Sequence, residues 1–147
     1  MAGDLIRDVR RAVLIHLKGD MGAKALVPAA NMFPSTTPPT PPWPFSRMDG
    51  FQSTALDMTC VAGATVTFLL HAFAKPKMQG AAMLDTAEDQ ASRIATAFKL
   101  ALHNRRIAVE GGANARLRVL SVRLLRDGDE ESAYHAVLSM EARVLAA

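Results

Sequence analysis

The chain has 147 residues, half of them apolar, with 17 basic and 14 acidic side chains and a net charge of +3. That describes one ordinary domain able to bury about two thirds of its unfolded surface. Its one cysteine, Cys60, excludes an internal disulfide and a thiolate zinc cluster, and the mild basic excess, interspersed with acids, allows a nucleic-acid neighbour without implying one.

Residues 4–18 place Leu5 or Ile6, Val9, Ala12 or Val13, and His16 or Leu17 at helical spacing, with Arg7, Arg10, Arg11 and Lys18 opposite. This is an amphipathic helix with Asp4 suited to its N-cap and Gly19 to its stop. The charged start holds no apolar run of signal-peptide length, so no export signal is expected, and the single thiol suits a reducing cytoplasm. Residues 21–27 add a short helical turn. Segment 28–44 then gathers Pro28, Pro34, Pro38, Pro39, Pro41, Pro42 and Pro44, which fits neither helix nor inner strand and predicts an extended, polyproline-like arm.

Residues 45–56 read as an interrupted strand with a bend or bulge at Asp49-Gly50. In 63–75, Ala64, Val66, Phe68, Leu70 and Ala72 share one face of a strand; Thr65, Thr67 and His71 share the other with the apolar exceptions Leu69 and Phe73. Those exceptions suggest that another chain covers part of this face. The most apolar run, 66–74, is too short to span a bilayer, and a soluble protein is expected. Residues 77–84, with Met78 and Met83, read as a loop or a frayed lead-in to the next helix. Asp85 and Glu88 form a capping-box pattern for a second helix, whose stripe is Ala87, Ala91, Ile94, Ala95, Phe98, Ala101 and Leu102. After Arg105 and Arg106 comes a short segment at 107–110 and the flexible run 111–114.

Residues 117–145 form the most regular pattern, a hairpin of two alternating strands around a turn at 127–131. Even-numbered residues are apolar in both halves, which predicts one buried face, with Leu124 near Tyr134, Val122 near Ala136 and Leu120 near Leu138. The odd face carries Arg123, Glu141 and Arg143, and Arg116, Arg118 and Arg126 add to the basic character of the hairpin. The whole is an α+β domain spanning 1–147: a small, mostly antiparallel sheet of about four strands with two helices on one face.

Chemical signatures are scarce. No phosphate loop, nucleophile elbow or HExxH occurs, and Asp57, Asp85, Asp89, Glu110 and Glu141 are not spaced as an acid–base pair. His71 and His135 share odd parity and would meet if their strands were neighbours, as a metal pair or as two solvated histidines. The reading is of a protein with no catalytic residues, no cofactor and no metal. Cys60 reads as a small apolar residue.

The order of pieces resembles one known family: an N-terminal helix, Pro42-Trp43-Pro44-Phe45 entering a strand, the 65–73 strand, an alanine-rich helix after Asp85, and Leu125-Arg126-Asp127-Gly128 followed by Tyr134-His135. It is similar to the tail-completion proteins of tailed bacteriophages and gene transfer agents, over most of the chain, with a longer proline-rich insert at 31–42. The resemblance implies a structural virion protein, a tail terminator forming a ring, usually a hexamer. Such a ring caps the tail tube at its head-proximal end and joins it to the head connector or stopper, with double-stranded DNA passing through the lumen. Assembly would occur in the bacterial host cytoplasm, with no membrane involved. Under that implication Trp43, Phe45, Leu69, Phe73, Met78 and Met83 are candidate subunit or partner contacts. Arg116, Arg118, Arg123, Glu141 and Arg143 are the candidate lumen-facing or partner-facing charges. The alternative is a small nucleic-acid-binding α+β module that uses the hairpin arginines.

Overall fold

A computed structural model describes residues 4–58, 61–126 and 132–145. Cys60 and the 127–131 turn lie outside the described residues. The elements are α1 (Leu5–Gly19), α2 (Met21–Leu26), a single 3-10 turn (Ala29–Asn31), β1 (Phe45–Met58), β2 (Val61–Ala74), β3 (Lys77–Gln79), β4 (Ala82–Asp85), α3 (Ala87–Leu102), β5 (Arg106–Ala108), β6 (Asn114–Arg126) and β7 (Tyr134–Leu145). The fold is α+β, as the patterns imply. The main sheet has five strands rather than four, in the order β1-β2-β7-β6-β5, every pairing antiparallel.

Each helix forms where periodicity and caps agree. The Asp4 carboxylate accepts a hydrogen bond of 3.0 Å from the Arg7 amide, and Asp20 caps α2 by accepting from the Ala23 amide at 2.9 Å. In α1 the buried stripe is Val9, Val13 and Leu17. The residues of α3 that are buried are Ala87, Ala91, Ile94, Ala95, Phe98, Ala101 and Leu102, the stripe read from the sequence. Four alanines in it bring the helix backbone close to β2, β6 and β7, while Ile94, Phe98 and Leu102 fill the space between. Each of these larger side chains, fully buried, contributes about 1.5–3 kcal/mol. They meet Val66, Phe68, Leu70, Leu138 and Met140 from the even faces of β2 and β7.

Two readings of the α3 approach need correction. Residues 77–84 are not a loop: β3 and β4 form a two-stranded hairpin of their own, reversing at Gly80, whose φ of +60° suits a residue without Cβ. The N-cap of α3 is Thr86, whose hydroxyl accepts from the Asp89 amide at 3.1 Å. Asp85 instead ends β4 and binds Gln90 and Arg93.

The C-terminal hairpin also departs from strict alternation. Val119 faces Met140 while Ser121 faces Ser139, so Leu120 is an extra, bulged residue. One inserted residue moves every neighbour to the opposite face. Hence β6 buries Ala115, Leu117 and Val119 before the bulge, and turns Val122 and Leu124 toward the helix side after it. Leu120 does not pair with Leu138; its side chain is exposed. Val122 lies opposite Leu138 and Leu124 opposite Ala136, the predicted face with partners two residues away. In β1 the pairing shifts between Asp49 and Gln52, where the Asp49-Gly50 bend was expected.

Candidate functional site

Cross-strand pairing sets out the solvent-side face of the sheet in rows. One row runs Arg106, Arg116, Arg143 and Thr65 across β5, β6, β7 and β2, and the next runs Arg118, Glu141 and Thr67. Directly opposed residues have Cβ atoms about 5 Å apart, so three arginines stand side by side, an arrangement that costs stability on its own. With Asn104, the side chains of Arg116, Arg118, Glu141 and Arg143 line a shallow recess of about 390 Å³. Among the described residues no ion pair joins Glu141 to any of these arginines. The bulge at Leu120 is the reason Arg116 and Arg118, which are even-numbered, share a face with odd-numbered Glu141 and Arg143.

Four of the five charges singled out in the sequence therefore converge. Arg123 does not: it lies beyond the bulge, opposite Val137. Sequence reasoning missed Arg106 and Asn104 as members. The Arg105-Arg106 pair was a visible signal, but no spacing tied it to β6.

The far end of the same face is aromatic. Phe45, Phe73 and His135 occupy one cross-strand row of β1, β2 and β7, stacked with ring centroids 4.6 Å and 4.2 Å apart. Trp43 packs edge-on against Phe45 at 5.0 Å, with the Lys75 ammonium 4.6 Å from its ring centre. Phe73 thus gets its cover from its own chain, and both Phe45 and Phe73 are buried. Trp43 and Leu69 are half-buried, while Met78 and Met83 stand exposed on the β3–β4 hairpin. The six apolar candidates do not form one patch: Trp43, Phe45 and Phe73 cluster, and the two methionines lie together elsewhere.

Between the basic and aromatic zones sits a polar chain. His71 contacts His135 through Nδ1 and the Asp49 carboxylate through Nε2, and Arg47 Nη1 lies 2.8 Å from the other Asp49 oxygen. Partial burial pushes the Asp49 carboxyl up, but hydrogen bonding and charge from His71 and Arg47 outweigh it and hold the group below the usual carboxylate range. The two histidines do become neighbours; among the described residues no group of three or more His, Cys, Asp or Glu side chains could hold a metal ion. His16 and His103 have structural contacts, at 2.9 Å to the Ala101 carbonyl and 3.0 Å from the Val119 amide. Among the described residues, no helix is long and apolar enough to cross a membrane.

No curated protein matches the chain at a significant level. Among solved structures, a chain from the virion of a native gene transfer agent particle superposes with a TM-score of 0.75 at 18% identity, covering 99% of this chain and 100% of that one, a likeness of fold. The family model described as tail completion protein gp17 matches residues 11–145. The chain therefore belongs to the tail completion protein gp17 family, a family of structural virion tail proteins.

Proposed function

We propose that this protein is a ring-forming tail terminator. Copies, six as the resemblance implies, would close a ring that caps the tail tube at the head-proximal end and binds the head connector or stopper. Double-stranded DNA would pass through its lumen, and assembly would take place in the host cytoplasm. The observation that supports this most is the row of Arg106, Arg116 and Arg143 beside Arg118, against which Glu141 is the single facing acid and forms no ion pair among the described residues. Such a row is costly in the free subunit and favourable beside a polyanion, whose phosphates supply the missing charge whatever the base sequence. The task requires a stiff subunit and complementary lateral surfaces that close by rotation; it requires no catalytic group.

The 28–44 arm fits a partner-gripping role. Its base is fixed, because the Asn31 side-chain Nδ2 donates to the Pro44 carbonyl at 2.9 Å and the Phe33 backbone amide to the Ser46 carbonyl at 2.8 Å, while most of 34–42 is exposed. Deleting residues 35–41 should leave the monomer's melting temperature unchanged and weaken assembly.

Light scattering and negative-stain imaging, with and without purified tail tubes, test the reading. Rings that sit on tube ends and halt tube growth are expected; a strictly monomeric species that leaves tubes growing overturns it. Tight, salt-dependent binding of the isolated monomer to free duplex DNA would favour the nucleic-acid-binding module instead.

A further inference from the structure

Two features of the described chain lack the cover their chemistry calls for. The first is the β3–β4 hairpin, a lone two-stranded sheet with Met78, Met83 and Leu84 about half exposed; isolated hairpins of this kind are marginal in water. Beside it, Glu88 and Asp89 in the first turn of α3 are exposed and have no cation partner among the described residues. The second is the distal half of β6. β5 pairs only with Asn114, Ala115 and Arg116, and backbone or ring bonds from Asn104, Arg105 and His103 continue the cover to Val119. From Leu120 onward, among the described residues, no strand lies beside the outer edge. Val122 and Leu124 face the helix side there and, with Ser92, Ala95, Thr96 and Lys99 of α3, line a groove of about 240 Å³. Exposed Lys99 of α3 and Arg126, on the same face of β6 as Val122 and Leu124, flank it.

An open strand edge beside a helix is the geometry that accepts an added strand, with alternate side chains entering the groove. The lone hairpin offers such a strand, and its apolar side chains match an apolar groove. The charges are also complementary: acids border the hairpin and cations border the groove. The two features sit at different places on one chain, so their union is head-to-tail and propagates from copy to copy.

We propose that the β3–β4 hairpin of one copy docks on the open β6 edge of the next, seating Met83 between α3 and Val122 and Leu124, with its cross-strand partner Met78 on the same face of the hairpin. This rests on the ring reading and assigns its lateral contact.

The test uses the full chain with Cys60→Ser. Met83→Cys and Val122→Cys are combined in one variant and also made singly, and each protein is oxidised after assembly. The double variant should give a ladder of disulfide-linked multimers, and the single variants none. Independently, Glu88→Lys with Asp89→Lys should raise the assembly midpoint concentration by about tenfold at low salt, and adding Lys99→Glu with Arg126→Glu should restore it. Rings that form normally with neither cross-linking nor a charge effect would overturn this contact and leave the ring reading standing. A chain that stays monomeric under every condition, tail tubes included, overturns both.

Discussion

His71 and His135 meet across β2 and β7 with their ring centroids 4.7 Å apart, Nδ1 of the first facing Nε2 of the second. The far nitrogen of His71 lies 2.7 Å from Asp49 Oδ1. An ionised carboxylate only accepts, so His71 Nε2 carries the hydrogen; in the neutral ring Nδ1 is then the acceptor and His135 the donor. One carboxylate, anchored by Arg47, thereby fixes the direction of a polar chain through an otherwise apolar part of the sheet face.

Asp49 gives that chain a pH signature. Its folded-state value lies below the reference of 3.8, so its contribution is present above 3.8 and is lost as pH falls through the lowered value. Thermal denaturation followed from neutral pH to pH about 2.5 should show a wild-type acid limb below about 3.8 that is shallower in Asp49→Asn. Parallel limbs in the two proteins would mean that the carboxylate is not held by His71 and Arg47.

The close packing of α3 predicts a sharp contrast within one helix. Phe98 has no exposed surface and Leu100 is 71% exposed. In urea unfolding, Phe98→Ala should cost about 3–5 kcal/mol and Leu100→Ala less than about 0.5 kcal/mol. A similar cost at both positions would contradict the rotation of the helix.

Gly63 marks where β2 and β7 approach too closely for a side chain: an added Cβ would stand 2.5 Å from the Val144 carbonyl oxygen. Because the obstacle is backbone, Gly63→Ala should destabilise by about 1–3 kcal/mol despite alanine's lower chain entropy. At Gly19 nothing lies within 4 Å, and Gly19→Ala, measured the same way, should be neutral or stabilising by up to about 1 kcal/mol.

The assignment of the α3 cap separates two adjacent residues. Thr86→Ala removes the acceptor of the Asp89 amide and should cost about 1 kcal/mol, rescued by Thr86→Ser. Asp85→Asn keeps an acceptor for Gln90 and loses only the charge facing the exposed Arg93, so its melting temperature should fall by no more than about 2 °C. The reverse ranking would return the cap to Asp85.

The pieces whose cause is local were legible in the amino-acid pattern. Periodicity named the buried stripe of α3 residue by residue and the core face of β2, and Asp4 and the Asp49-Gly50 bend were legible because caps and bends are made by nearby atoms. The family resemblance was carried by the order of those same pieces. Whatever depends on partners distant in the chain emerged with the folded sheet. The Leu120 bulge left no mark in a run where both neighbouring parities are apolar, yet it chose which arginines share a face. The row of Arg106, Arg116 and Arg143, the joining of Asp49 to His71 and His135, and the open β6 edge all follow from pairing register and strand order. These are set by the packing of the whole sheet against α3, and no window of sequence contains them.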